Sequence, residues 1–275
     1  MSSVRASFRV SFGRYVILLA TLVLSPSMWG WCQGAQEVAV LFGLRRSSVT
    51  LHEPVTAYFS IHNNLAEDVA LDLGYDRESN FELSIIQPDG STVRAPHLPP
   101  RGGMSRLPEL SLRRGETYWQ ELLLNKQYPF SKAGNYGIGI TLVTTIRKKS
   151  GGVGKAEFSQ ELSLDVGERD EQRLEEVCER LTRTAMLTNA EAALDAARSL
   201  SYVEDPVAVP FLARLTRQGP FVAVARGIAL HGLARIARVE GVENVVSRLS
   251  PEDRKLEPEI KAEATQRARG NPIPH

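Results

Sequence analysis

Cysteine is scarce in this sequence of 275 residues, which contains only Cys32 and Cys178. If Cys32 is removed with an N-terminal signal, Cys178 is the only cysteine left, no internal disulfide is possible, and stability must come from packing. Cys178 shares an apolar stripe of helical spacing with Leu174, Val177 and Leu181. We expect it to be a small buried hydrophobe and not a nucleophile, because free cysteine packs well in apolar cores.

An excess of one charge is also missing, since 33 basic and 32 acidic residues give a net charge of +1. Arg5, Arg9 and Arg14 lie in the first 34 residues, which contain no acidic residue; without them the net charge is −2. A nearly neutral chain has no general electrostatic basis for binding nucleic acid or a membrane surface. We therefore expect neither partner.

Long hydrophobic runs are absent too: the apolar run at residues 15–24 has only ten residues. A membrane span needs about 20. A basic segment precedes this run and the small residues Gly34 and Ala35 follow it, as is typical of a signal peptide. We predict that residues 1–35 are a signal peptide and that the protein is exported to the periplasm or beyond, with no membrane span after cleavage. Retention as an uncleaved anchor is the alternative.

Recognisable catalytic motifs are missing as well. Residues 151–155 lack the spacing of a phosphate-binding loop, and no G-x-S-x-G nucleophile elbow occurs. His52, His62 and His97 have no short metal-ligand spacing. We predict no catalytic residue, no metal ligand and no cofactor; an unrecognised hydrolase stays open as a third function class.

Residues 37–167 have the alternating pattern of β-strands. One apolar series alternates with a more polar one, which predicts a strand with one face buried; the series are Val55, Ala57, Phe59, Ile61 and Thr56, Tyr58, Ser60, His62. Asp89-Gly90 and the glycine-rich residues 151–154 are hairpin signals. Seven to nine short strands without a helix predict a β-sandwich.

Two short motifs in this segment carry a resemblance. Residues 51–55 read Leu-His-Glu-Pro-Val, and residues 134–136 read Gly-Asn-Tyr. They resemble the L-x-E-P-V turn and the G-x-Y strand start of exported bacterial Ig-like domains. The resemblance implies an Ig-like fold for residues 37–167 and no active site.

The period changes to 3.6 residues near Glu168, and two helical hairpins follow. Leu194, Ala197 and Leu200 recur 33 residues later as Gly227, Leu230 and Leu233. Residues 210–215 recur 34 residues later at 244–249. Such a period is typical of an α-solenoid, so residues 168–269 are predicted to be helical and 270–275 to be a flexible tail.

This helical part also resembles a known family. Residues 205–212 are similar to the D-P-x-A-V-P-x-L pattern of HEAT repeats of the phycobilisome-lyase type. The next first-helix pattern is matched by Arg226, Ala229, Leu233 and Ile236. The resemblance implies that Arg226 bonds the turn between helices, where Asp205 is the matching residue; both are therefore assigned structural roles. The predicted fold class is an all-β plus all-α multidomain protein: an Ig-like β-sandwich followed by a short HEAT-type α-solenoid.

The second helix of each repeat is the predicted binding face, because it lines the concave side of a solenoid. Arg214 and Arg217 of the first repeat and Arg248 of the second should point outward there. A row of arginines would suit a carboxylate-bearing protein partner, since each guanidinium offers paired donors. An ordinary solvated face is the alternative interpretation.

The leading functional hypothesis is an exported bacterial protein, not an enzyme, that acts in protein–protein interaction or assembly. The alternative is an accessory protein that binds carbohydrate or another small ligand on the β-sandwich through Trp119 and Tyr118. Aromatic residues clustered on one exposed sheet face would favour the ligand binder. An exposed apolar patch on the helices would favour the interaction protein.

Overall fold

A computed structural model of the chain describes residues 37–75, 77–96 and 107–270, with side chains up to residue 266. The predicted signal peptide, His97 and residues 271–275 of the predicted tail lie outside these ranges. The described strands are β1 (Val38–Leu44), β2 (Ser48–Thr50), β3 (Thr56–Asn63), β4 (Val69–Leu71), β5 (Phe81–Ile86), β6 (Thr92–Arg94), β7 (Leu110–Leu112), β8 (Thr117–Leu123), β9 (Gly134–Lys148) and β10 (Val153–Gly167). The α-helices are α1 (Glu171–Ala185), α2 (Ala190–Leu200), α3 (Val209–Leu215), α4 (Val222–Glu240), α5 (Val242–Ser247) and α6 (Glu257–Gly270).

The strands form two sheets. The smaller sheet has the order β1-β3-β8, with both pairs antiparallel. The larger sheet has the order β2-β10-β9-β4-β7, and β5 joins it by pairing with β9 and with β6. Its pairs are antiparallel except for β2 and β10, which run parallel. Both predicted hairpins are confirmed: Asp89-Gly90 connects β5 to β6, and residues 149–152 connect β9 to β10.

The apolar core of the strand section lies where the alternating side chains of both sheets meet. The predicted inward series of β3 is confirmed, because Ala57, Phe59 and Ile61 are fully buried. The ring of Phe59 packs against that of Phe81 with 4.7 Å between centroids. The outward series of β3 is half-buried or exposed, which leaves Tyr58 facing solvent.

Capping side chains mark the start of α1, α2 and the short 3₁₀ helix before α3. Asn189 accepts a hydrogen bond from the backbone N–H of Ala192 at the start of α2, as its position predicts. Asp205 accepts from the N–H of Val207 and precedes a short 3₁₀ helix, Pro206–Ala208, that leads into α3. A side-chain cap followed by proline in the first turn is a favourable helix start, because proline has no N–H to leave unpaired there.

A second apolar core holds the helices together. Helix α1 packs on α2, and α4 packs against α2, α3, α5 and α6. Cys178 is completely buried in this core, as predicted. Burial, with the nearby negative charges of Asp205 and Glu175, raises the pKa of its thiol to about 12. The thiol therefore stays protonated and acts as a packing group.

A polar junction ties the strands to the helices. The Thr50 hydroxyl donates to the carbonyl of Glu168 and accepts from the N–H of Asp170, at 2.9 Å in the latter case. Glu53 is buried, and it accepts from the backbone N–H of Thr50 at 3.2 Å and from Nε of Arg173 at 2.9 Å. Apart from the bond between Thr50 and Glu53, these bonds join residues about 120 positions apart in the chain.

The predicted fold class is wrong. The described residues form one compact unit that combines mixed sheets with six short helices, not an Ig-like sandwich followed by a HEAT-type solenoid. A solenoid needs two full helices in each repeat. The predicted second helices, α3 and α5, have only 7 and 6 residues. Within the described ranges no helix combines the length and the apolar character that crossing a membrane requires.

Candidate binding face

Three large apolar side chains are exposed on the outer surface of the three-stranded sheet. Leu41 is 64% exposed, Trp119 62% and Tyr58 40%. Ser60 and His62 lie on the same surface, because they alternate with the buried residues of β3. We call these five residues the aromatic face.

The strand register places these side chains next to one another. Leu41, Ser60 and Trp119 form one row across β1, β3 and β8. Because neighbouring strands lie about 4.8 Å apart, Leu41 and Trp119 are separated by about 10 Å. Tyr58 lies one row away and is a diagonal neighbour of Trp119, within reach of a ligand that contacts both.

Gly43 fixes the position of the Tyr58 ring. The two residues are directly opposite each other in β1 and β3. A Cβ atom at residue 43 would overlap the outer atoms of the tyrosine ring. The absence of a side chain at Gly43 therefore lets the Tyr58 ring lie flat on the sheet, where one side of it stays accessible.

Polar groups border the aromatic face. Nε of Arg45 donates to Oε1 of Glu121 at 2.6 Å, and this pair lies at the end of the sheet near Tyr58. At the other end, Nδ1 of His62 lies 2.8 Å from the hydroxyl of Thr117. An apolar centre with a charged or hydroxylated border is the usual composition of a protein interface.

The aromatic face continues to an open sheet edge. Leu124 donates its N–H to the carbonyl of Val55, and Asn63 donates to that of Glu116, so the even-numbered residues of β8 bond to β3. The N–H and C=O groups of Trp119 and Glu121 therefore point away from β3. Among the described strands, β8 pairs only with β3, which leaves this edge available for a further strand.

Tyr118 does not share a surface with Trp119, contrary to the predicted pair. The two residues are consecutive in β8, and consecutive side chains point to opposite sides of a sheet. Tyr118 turns inward, with 6.0 Å between its ring centroid and that of Phe59, and its hydroxyl donates to Oε1 of Gln120. The other aromatic residue on the surface of Trp119 is Tyr58, whose ring lies over Gly43 on the β1 side of β3.

One arginine of the predicted row, Arg217, forms ion pairs within the molecule. Arg217 donates to Glu252 at 2.9 Å and to Asp253 at 3.1 Å. Arg214 is exposed beside the ring of Phe211, and Arg248 is exposed at the end of α5. Helix α3 packs mainly on α1 and α4, whereas α5 packs on α4 and α6, so the structure does not stack the two arginines as a solenoid would.

The predicted bond between Arg226 and Asp205 is not formed. Arg226 donates to both carboxylate oxygens of Glu259 in α6, at 2.6 and 2.8 Å. Asp205 instead accepts from Nε and a terminal nitrogen of Arg169, at 2.6 and 3.1 Å. Each residue therefore has an ion-pair partner that the repeat pattern does not contain.

Sequence reasoning missed Leu41 and Tyr58 as surface residues of a site. The alternation along β3 does place Tyr58 outward. What no local pattern supplies is the pairing of β1 and β8 with β3, which brings Leu41 and Trp119 to the same surface. Among the described residues, no group of three or more His, Cys, Asp or Glu side chains is arranged to hold a metal ion.

Comparison with known proteins adds little. No family model matches the sequence, and no curated protein matches it. A putative ApaA protein from Bordetella pertussis is 12% identical over 47% of this chain and 91% of its own, with a TM-score of 0.27. Spo0M, a sporulation control protein from Bacillus subtilis, is 16% identical over 53% and 56%, with a TM-score of 0.25. BslA, a bacterial hydrophobin, is 15% identical over 49% and 97%, with a TM-score of 0.25. Scores this low carry no argument about fold or function.

Proposed function

We propose that this is an exported, non-catalytic protein that binds a protein partner through the aromatic face. The observation that carries the proposal is the arrangement of Leu41, Tyr58 and Trp119 on one exposed sheet surface, next to the open edge of β8. Large exposed apolar patches bordered by polar residues mark interaction sites in soluble proteins.

The composition of the face favours a protein partner. Tryptophan and tyrosine dominate the binding energy of protein interfaces because they bury much surface with little loss of conformational entropy. Leu41 is the most exposed of the three side chains. An aliphatic group gains free energy only against another apolar surface, which a protein side chain supplies.

The open edge of β8 indicates how the partner segment binds. The outward N–H and C=O groups of Trp119 and Glu121 match those of an added extended strand. In such complexes the backbone bonds give affinity, and alternate side chains of the added segment give specificity. The expected partner segment is therefore extended, with apolar side chains directed to Trp119 and Tyr58.

The helices offer a less favourable surface. Among the described residues, Leu187 is exposed in the turn after α1, and Val224 and Val239 lie 15 positions apart at opposite ends of α4. This separation corresponds to about 22 Å along a helix. Isolated exposed valines are ordinary surface features and do not form a patch.

Carbohydrate binding is the second candidate function, favoured by the diagonal placement of Trp119 and Tyr58. Two flat rings stack against the apolar sides of sugar rings, while Ser60 beside Trp119 and His62 in the next row supply hydroxyl and imidazole groups for hydrogen bonds. This arrangement uses both aromatic residues but gives no role to Leu41. A substitution of Leu41 therefore distinguishes protein binding from carbohydrate binding.

The test is affinity capture from the exported fraction with the wild type and the variants Trp119→Ser, Leu41→Ser and Val239→Ser, followed by titration of the purified partner. Trp119→Ser should weaken binding by about 30- to 1000-fold, as expected for a central interface aromatic. Leu41→Ser should weaken it by about tenfold. Val239→Ser removes an equally exposed apolar side chain elsewhere and should bind like the wild type.

Two outcomes would contradict the protein-binding proposal. Equal partner affinity for the wild type and Trp119→Ser, with both proteins folded, would exclude the aromatic face. Binding to a polysaccharide that Trp119→Ser abolishes and Leu41→Ser leaves unchanged would establish the carbohydrate candidate instead.

A further inference from the structure

Three arginines meet at the junction between the strands and the helices. Arg46 follows β1, and Arg173 and Arg180 belong to α1. Arg46 bonds to Oε1 of Glu53 at 3.2 Å, and Arg173 bonds to Oε2 of the same carboxylate at 2.9 Å. One buried carboxylate therefore serves two guanidinium groups.

Glu53 accepts three hydrogen bonds in this arrangement, and none of them comes from Arg180. Its Oε2 also accepts the backbone N–H of Thr50. Arg173 donates in addition to the carbonyl of Ser48 at 2.7 Å, which fixes its guanidinium group against the strand section. The carboxylate and its two arginines are thus held in place from both parts of the molecule.

Arg180 lies on the same side of α1 as Arg173, because seven residues correspond to about two helical turns. Partial burial, together with the charges of Arg46 and Arg173, lowers the pKa of its guanidinium, and Glu53 only partly offsets them. In the part of the chain that the structure describes, no side-chain or backbone oxygen accepts a hydrogen bond from Arg180.

The four side chains leave an unbalanced charge. Arg46, Arg173 and Arg180 carry three positive charges and Glu53 carries one negative charge, which gives a local charge of +2. Like charges held close together repel one another, and a bound anion would offset this repulsion. Arginine forks match the geometry of phosphate and carboxylate oxygens, so this cluster is suited to such a ligand.

We infer that Arg46, Arg173 and Arg180 form a binding site for a tetrahedral oxyanion with two negative charges, such as a phosphate group. Arg180 is the residue whose donors remain available, and Arg46 contributes the nitrogens that do not bond to Glu53. Bound anion would contact both the β1–β2 connection and α1. This site is independent of the aromatic face and of the function proposed for it.

The experiment is calorimetric titration of the purified protein with inorganic phosphate and, separately, with phosphoserine, at constant ionic strength set by chloride. Arg180→Ala should weaken phosphate binding at least tenfold. Arg183→Ala removes an exposed arginine from the same helix and should change the affinity less than twofold. Tighter binding of phosphoserine than of phosphate would identify a phosphate monoester as the natural ligand, and the reverse would identify the free ion.

Two results would overturn the inference. The first is a wild type that binds phosphate no better than Arg180→Ala does. The second is an equal loss of affinity in Arg183→Ala, which would show general attraction of anions to a basic surface.

Discussion

Asp205 shows how a single residue combines two structural roles. Its side chain is nearly inaccessible to solvent, and it caps the 3₁₀ helix through the N–H of Val207 at 2.9 Å. Burial favours the neutral acid, but the hydrogen bonds from Arg169 and from Val207 outweigh it, and the pKa of Asp205 is lowered from its ordinary value. The ionised form is therefore the one that stabilises the fold.

Asp205→Asn should lower the free energy of unfolding at pH 7 by about 1–3 kcal/mol, because it removes a charge from a partly buried pair while asparagine still caps the helix. A lowered pKa gives stability that is present above the unfolded pKa near 4 and is lost as the pH falls through the folded value. Urea titrations between pH 7 and pH 2 should therefore show a smaller loss of stability in the variant than in the wild type.

Asp195→Asn is the matched control for this measurement. Asp195 pairs with Arg198 on the surface of α2, where both side chains are about half exposed. Surface pairs contribute about 0–1 kcal/mol, so this variant should follow the pH dependence of the wild type. Identical pH profiles for Asp205→Asn and the wild type would contradict the role assigned to Asp205.

At the same scale, the residues around Asp205 indicate its capping role but not its ion-pair partner. An Asp-Pro pair before an apolar helical stripe is a local signal for the start of a helix, because the cap depends only on neighbouring residues. The partner Arg169 lies 36 residues away, just before α1. Only the packing of α1 beside α3 brings the two together, and this packing is not encoded in a short motif.

At the scale of elements, the two glycines of α4 differ in how closely neighbouring helices approach them. A Cβ atom at Gly227 would meet no atom within 4 Å. At Gly232 it would lie 2.9 Å from the backbone Cα of Ser201 and 3.0 Å from the methyl groups of Leu212. Gly232 therefore allows α4 to approach the end of α2 and the side of α3.

Gly227→Ala should raise the free energy of unfolding by about 0.5–1 kcal/mol, because glycine is unfavourable inside a helix and the new methyl group is accommodated. Gly232→Ala should lower it by about 1–3 kcal/mol, because the methyl group overpacks a close contact with backbone. Guanidinium denaturation of both variants checks the pair. Equal effects of the same sign would show that α4 does not pack as described.

Strand faces were predictable at the element scale, and strand neighbours were not. The period of two correctly separated Phe59 from Tyr58, because alternation follows from backbone geometry alone. The same rule argues against a shared surface for Tyr118 and Trp119, which are consecutive in β8. The neighbour of Trp119 depends on the register between β3 and β8, which is set by contacts about 60 positions apart.

For the whole molecule, the sequence located the change from strands to helices but gave the wrong fold class. The last strand ends at Gly167 and the first helix begins at Glu171, close to the change of period near Glu168. The polar junction through Thr50, Glu53 and Arg173 then joins the two apolar cores into one compact unit. A repeat pattern of 33 or 34 residues reports local helical hairpins and contains no information about such long-range bonds.

If this junction couples the two cores, the wild type should unfold in one transition, with the near-ultraviolet circular dichroism of the aromatic residues and the helical signal at 222 nm changing together. Glu53→Gln should uncouple them. It leaves Arg46 and Arg173 without a charged acceptor. Because both arginines are partly exposed to solvent, we expect the unfolding free energy to fall by only about 1–3 kcal/mol. The two signals should then separate along the thermal transition.

Glu109→Gln provides the comparison, because Glu109 pairs with Arg147 on the exposed side of the strand section, away from the junction. That variant should keep one transition and nearly the wild-type midpoint. Most of the aromatic signal arises in the strands, whereas the 222 nm signal arises in the helices, so the order of loss identifies which core is less stable alone. Coincident signals in Glu53→Gln would mean that apolar contacts, and not the buried carboxylate, hold the strands and helices in one cooperative unit.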